Sequence, residues 1–111
     1  MRTLHMLHSL DVEVGNPGST VRNGSKWADA LGQLIELCVC DKEGNHEVQG
    51  HGQVTGIWTG EFFNIPAQLI EREHEVRSRT YSGLLASMRN AYGEDFPASA
   101  QVVVLTYQRI D

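Results

Sequence analysis

The segment Gly15-Asn16-Pro17-Gly18-Ser19-Thr20-Val21-Arg22 sets a hydroxyl and a guanidinium two residues apart, behind a turn rich in glycine and proline. On an extended chain Thr20 and Arg22 point to one face. Arginine offers a planar fork for a phosphate or a base edge and can stack on a base, and threonine adds a hydroxyl. Main-chain amides around Gly15 and Gly18 can add anion contacts. Lys26 follows close behind. A second constellation is the alternating-sign run Glu71, Arg72, Glu73, His74, Glu75, Arg77 and Arg79. One carboxylate beside such cations can act as general acid or base, and His74 can do so near neutral pH. The plainer reading of the run is a solvated helix face. Trp27 and Trp58 can stack bases, with the core as the competing place for each. Trp58, near the end of a glycine-rich strand, is the better candidate for a ligand wall.

Cys38 and Cys40 share one face if their segment is a strand, a placement ill suited to a disulfide. Their C-x-C spacing also misses the C-x-x-C pattern of redox and zinc sites. Both are expected reduced and packed. A zinc site drawing on His46, His51, His74 and the thiols lacks the short, repeated ligand spacing of structural zinc. No metal and no cofactor is therefore expected. His5 and His8 fall on opposite sides of the first strand and are read as surface or edge residues.

The chain has 111 residues, 41% of them apolar and 21% charged, which fits one ordinary domain over residues 1–111. A net charge of −5 disfavours sequence-independent coating of DNA or RNA, which rests on phosphate contacts. A small electropositive pocket in an acidic shell is compatible with it. The apolar runs, Val102-Val103-Val104-Leu105 among them, are too short to cross a bilayer, so no membrane partner is expected. The first eight residues lack the apolar stretch of a signal peptide, and a soluble, cytoplasmic protein is the expectation.

The elements that must position these residues are short. A strand over the first ten residues is followed by the breaker cluster 15–18 and an extended piece over 19–22. Ser25 caps a helical turn over Lys26–Leu31 that ends at Gly32. A strand over 33–40 leads through the turn Asp41–Asn45 into a return strand over 47–58. Its glycines at 50, 52 and 56 predict bulges and strong curling. Pro66 opens a helix to His74, and Thr80 or Ser82 opens a second. Tyr81, Leu84, Leu85, Met88 and Tyr92 make one apolar stripe on the second helix, read as core, and Gly93 stops it. The closing strand, Gln101–Ile110, is apolar on both faces and should be covered on both. The order predicts an α+β domain, a small curved or closed sheet with a helical cover.

The run Gly15 to Arg22 resembles the G-x-K-x-x-T-x-R stretch of ASCH domains, members of the PUA-like superfamily. The likeness continues through Lys26-Trp27 and Gly32-Gln33-Leu34-Ile35-Glu36-Leu37. It extends to the acidic segment Glu71, Glu73, His74, to Tyr81-Ser82-Gly83-Leu84-Leu85, and to the strand Val102–Ile110, so nearly the whole chain is covered. The resemblance implies a small PUA-like curved β-barrel of about five to six strands with two or three helices at one side. It also implies association with RNA or modified nucleobases. Some small members are amidohydrolases acting on N4-acetylcytidine through the motif lysine, its threonine and a helical-region glutamate, and others have been described as ribonucleases. Gly15, Thr20 and Arg22 match the motif, whereas Pro17 stands at the lysine position and has no amine. Lys26 is the nearest lysine, and Glu71, Glu73 and Glu75 compete for the glutamate.

Three functions are compatible with these residues. The first is a module that binds RNA, a nucleoside or a nucleotide in a cleft formed by Gly15, Gly18, Thr20, Arg22, Lys26, Trp58 and His74. The second is an amidohydrolase using Thr20, Lys26 and Glu71 or Glu73, weakened by Pro17. The third is a protein-interaction module with a vestigial pocket. The sequence leaves the oligomeric state open.

Overall fold

The computed structural model describes residues 1–7 and 9–111; His8, expected at the surface of the first strand, lies outside the described residues. Five strands span Arg2–Leu7 (β1), Pro17–Asn23 (β2), Leu34–Cys40 (β3), His46–Glu61 (β4) and Gln101–Arg109 (β5). The helices are Ala67–Ile70 (α1) and Tyr81–Tyr92 (α2). The strands form one sheet in the order β1-β3-β4-β5-β2. β1 runs parallel to β3 and the remaining pairs are antiparallel. The sheet curls into a half-barrel, an α+β fold of the expected class.

The closing strand shows why there are two packed layers. Val103, Leu105 and Tyr107 of β5 face a cluster holding Leu4, Met6, Ile35, Leu37 and Val54. Val102 and Val104 face a second cluster with Val21, Phe62, Ile70, Leu84 and Met88. Successive side chains of a strand alternate between faces, so an unbroken apolar run requires cover on both. Curling is localised where the register shifts, between Val54 and Gly56 in β4 and between Leu37 and Cys38 in β3.

Two local expectations are corrected. Residues 26–31 form successive turns rather than a helix. Ala28 N–H donates to the Ser25 carbonyl at 3.1 Å and Ala30 N–H to that of Trp27 at 3.2 Å, both three-residue closures. Trp27 and Ala30 are drawn into the core, and so short a piece gains little from helical propagation. The helix expected to reach His74 stops at Ile70, because tertiary hydrogen bonds capture the main chain beyond it. Ser19 N–H donates to the Arg72 carbonyl at 2.7 Å, and His74 N–H donates to the Ser19 carbonyl at 2.9 Å. Residues 72–74 thus lie beside β2 as a parallel bridge. Asp11 N–H donates to the His74 carbonyl at 2.6 Å, tying the same segment to the chain leaving β1.

α2 begins as expected. Thr80 caps it, its hydroxyl accepting from Gly83 N–H at 3.1 Å. Leu84 and Met88 are buried, while Tyr81 and Tyr92 at the ends of the stripe stay exposed. Among the described residues, no helix is long and apolar enough to cross a membrane.

Candidate functional site

β1 and β2 stand at the two ends of the strand order, so the seam between them is where the half-barrel opens. Residues 72–74 close one end of this seam against Ser19. Beyond Ser19 the edge of β2 is left uncovered, and a cleft of about 480 Å3, including the part open to solvent, lies there. Met6 and Leu7 of β1, Thr20, Val21 and Arg22 of β2, residues 73–75 with Ser78, and one face of α2 form its walls.

The polar groups of this cleft are buried, and several are left without partners. Thr20 is 1% exposed and Glu73 2%. Nε and Nη2 of Arg22 are shut from solvent with no hydrogen-bond partner among the described residues. The same holds for Oε2 of Glu73 and Nε2 of His74. Nδ1 of His74 sits against the other oxygen, Oε1, of Glu73. Burial holds the Arg22 guanidinium below its ordinary value, offset in part by the fields of Tyr92 and Glu73. Arginine starts so high that it stays charged, and a buried unpaired cation is costly. A buried polar group without a partner costs about 1–3 kcal/mol, so a cluster of them marks a place where a ligand would supply the missing bonds.

The main chain adds to this. Ser19 turns both its N–H and its carbonyl outward to the 72–74 segment. Antiparallel ladders alternate with a period of two residues, so Val21 presents the same pair of groups to the cleft. Two residues further on, Asn23 N–H reaches the Tyr92 hydroxyl at 3.5 Å. The opposite wall is apolar, with Leu84, Met88 and Ala91 beside the Tyr92 ring.

The structure brings Thr20, Arg22, Glu73 and His74 together around one cleft. Of the three competing carboxylates, Glu73 and Glu75 line it, and Glu75 accepts from Arg77 Nε at 2.9 Å. Glu71 is exposed and borders a different hollow with Arg72 and Arg79. Burial of Glu73, His74 and Glu75 overturns the reading of residues 71–79 as a solvated helix face.

The remaining expected ligand contacts lie elsewhere. Lys26 is exposed at the opposite end of β1 from Met6, its carbonyl accepting from Arg2 Nη2 at 3.0 Å. Trp58 packs against the second cluster and is not among the residues that line the cleft. Trp27 is core, with the Arg2 guanidinium 4.0 Å above its ring. Gly15 holds a left-handed φ of 88° in the turn, and its N–H donates to the Arg109 carbonyl at 2.9 Å rather than to an open anion site. Gly18 is needed for close approach: a Cβ there would lie 2.7 Å from the Tyr107 hydroxyl. That hydroxyl is buried and without a partner among the described residues, and burial pushes its pKa up, so it stays protonated.

Sequence reasoning missed Tyr92, Ser78, Ser87 and the Met6–Leu7 end of β1 as cleft residues. The apolar stripe of α2 held the signal for Tyr92: its last position falls beyond the core, where an aromatic ring is free to face a ligand.

No protein-family model matches the chain, and no curated protein matches it in sequence. Solved structures do match in fold. An ASCH domain from Lactobacillus crispatus JV V101 superposes with a TM-score of 0.61 at 9% identity, over 86% of this chain and 65% of that one. Protein EF3133 from Enterococcus faecalis V583, of the DUF984 family, superposes with a TM-score of 0.57 at 10% identity, over 85% of this chain and 61% of that one. The chain thus spans just under two thirds of the length of each neighbour. Together with the curled five-stranded sheet and its two helices, these matches show that the chain has the ASCH fold, a small PUA-like half-barrel.

Proposed function

We propose that this chain is a PUA-like module that binds RNA or a nucleobase-containing ligand in the cleft between β1, β2 and α2. The observation that carries the reading is the pair of partnerless groups facing one space, the Arg22 donors and the Glu73 acceptor. A nucleobase edge presents acceptors and donors side by side on a flat apolar plate. Arg22 and the Val21 main chain suit such an edge, Glu73 suits an exocyclic amine, and Tyr92 with Met88 and Leu84 suits the face. A net charge of −5 argues that the base, more than the phosphates, supplies affinity.

A proton–nitrogen NMR titration with cytidine and with a short single-stranded RNA tests this. Shifts are expected at residues 20–23, 73–78 and 84–92, and they should vanish in Arg22→Met. For the RNA, the logarithm of the binding constant should fall with log salt at a slope of roughly −1 or shallower, the signature of about one phosphate contact. Absence of shifts with every ligand would overturn the proposal.

A second reading is favoured by the contact of Glu73 with His74 beside Thr20. In an amidohydrolase of N4-acylated cytidine, Glu73 would move protons and Thr20 would orient or attack the acyl carbon. Lys26, at the far end of β1, takes no part in this version. Release of acetate from N4-acetylcytidine, abolished by Thr20→Ala and by Glu73→Gln in folded protein, would establish it.

A further inference from the structure

On the face of the sheet opposite the first cluster, three side chains from three neighbouring strands converge. Leu4 and Met6 point into the core, so His5 between them points out. β1 pairs with β3 so that Leu7 lies opposite Cys40, and β3 pairs with β4 so that Cys40 lies opposite His46. Cys40 Sγ is 3.1 Å from Nδ1 of His46 and 3.9 Å from Nδ1 of His5. All three potential ligand atoms lie within 4.8 Å of one another. The two imidazole rings meet edge to face, with centroids 5.3 Å apart.

We propose that His5, Cys40 and His46 form a binding site for a thiophilic divalent cation, Zn2+ in the first instance. Zinc bonds of about 2.3 Å to sulfur and about 2.0 Å to nitrogen at tetrahedral angles put the ligand atoms of one site about 3.5 Å apart. The two sulfur–nitrogen separations straddle that value. One thiolate with two imidazoles is a donor set matched to a borderline-soft ion rather than to Mg2+ or Ca2+. On binding, the Cys40 thiol loses its proton to solvent and the thiolate takes up the metal. Three protein ligands leave the fourth position to water, and the exposure of both histidines gives the ion a way in.

The ligands are held by the sheet rather than by loops. The ladder fixes Cys40 against His46, and the hairpin between them is closed tightly. Asp41 Oδ1 accepts from Glu43 N–H at 3.0 Å and from Asn45 N–H at 2.8 Å. Sites carried on strands keep their geometry better than sites on loops. The sequence hides the site because His5 reaches the Cys40–His46 hairpin pair only through parallel pairing of β1 with β3.

The test is titration of the full chain, reduced and stripped of metal, with Co2+ as an optical probe and Zn2+ as competitor. One equivalent of Co2+ should produce a thiolate-to-cobalt charge-transfer band in the near ultraviolet, which Zn2+ abolishes. Cys40→Ser should remove the band. His46→Ala and His5→Ala should each weaken Zn2+ binding by about 100-fold or more, since changing even an outer partner of a metal ligand costs 10–100-fold. His51→Ala, a half-buried histidine on β4 paired with Asp111, should leave binding unchanged. Should Cys40→Ser fail to fold, His46→Ala decides, because it alters an exposed hairpin position. The proposal is overturned if the reduced wild-type chain gives no charge-transfer band, or if the band survives loss of His46 at full affinity.

Discussion

Arg79 and Arg22 both reach the seam between β1 and β2, and their guanidiniums are treated in opposite ways. Arg79 donates from Nε to the Glu73 carbonyl at 2.9 Å and from Nη2 to the Asp11 carbonyl at 2.6 Å. Arg109 does the same nearby, with Nη1 to the Val12 carbonyl at 2.6 Å and Nη2 to that of Gln49 at 3.1 Å. Arg109 thus fastens the 11–16 loop to the sheet, and Arg79 ties that loop to the 72–74 segment. Arg22 has no such carbonyls, and its Nε and Nη2 are buried without partners among the described residues. Charge and residue type are equal, so the difference lies in which arginine the main chain satisfies. One region spends its donors on the fold, and the other keeps them for a ligand.

Arg79→Ala should give the largest effect. It removes two charge-assisted hydrogen bonds, each of a kind worth about 1.5–3 kcal/mol, and should lower stability by about 3 kcal/mol. Thermal denaturation should show a fall of roughly 10 °C or more. If Arg79→Ala unfolds no earlier than wild type, the division between fastening and ligand-binding arginines collapses.

Gly18→Ala should follow, at about 1–3 kcal/mol, measured by urea unfolding. The added methyl would lie 2.7 Å from the Tyr107 hydroxyl and 2.8 Å from Val12 Cγ2, inside a packed layer that has no room to yield.

Arg22→Met sharpens the comparison from the other side. Replacing a buried, unpaired cation by an apolar chain of similar length should leave stability unchanged or raise it by about 1 kcal/mol, while nucleoside binding is lost. A stability loss as large as that of Arg79→Ala would mean that Arg22 also serves the fold.

The smallest effect concerns an exposed carboxylate that the main chain serves fully. Hydrogen bonds from the Asn45 amide and side chain hold the Asp41 carboxyl below its ordinary range. Its folded pKa is depressed, so its contribution is present above the unfolded value of about 3.9 and is lost as pH falls through the folded value. Urea midpoints measured from about pH 5 down to about pH 2 should therefore fall less steeply in Asp41→Ala than in wild type.

Much of this was legible in the residues. The continuous apolarity of Val102–Tyr107 announced a strand covered on both faces, and both clusters use it. The Asp41–Asn45 turn, the Thr80 cap and the bending of the glycine-rich β4 follow from local chemistry, which acts within a few residues and so can be read from a few. Thr20 and Arg22 were legible for the same reason, since two residues apart on a strand means one face. The charged run after Ile70 was not. Its alternating signs look solvated, yet Ser19 and Asp11 take its main-chain groups and turn Glu73 and His74 inward. Lys26 was misplaced because four residues of sequence say nothing about which end of β1 the turn reaches.

The sequence by itself determined the α+β class, the strands and the second helix, because periodicity and turn chemistry depend on neighbours along the chain. Only the tertiary structure decided which carboxylate enters the cleft, which arginine goes unsatisfied, and that His5 meets Cys40 and His46. Those outcomes depend on hydrogen bonds and strand pairings between segments dozens of residues apart, and no local pattern encodes them.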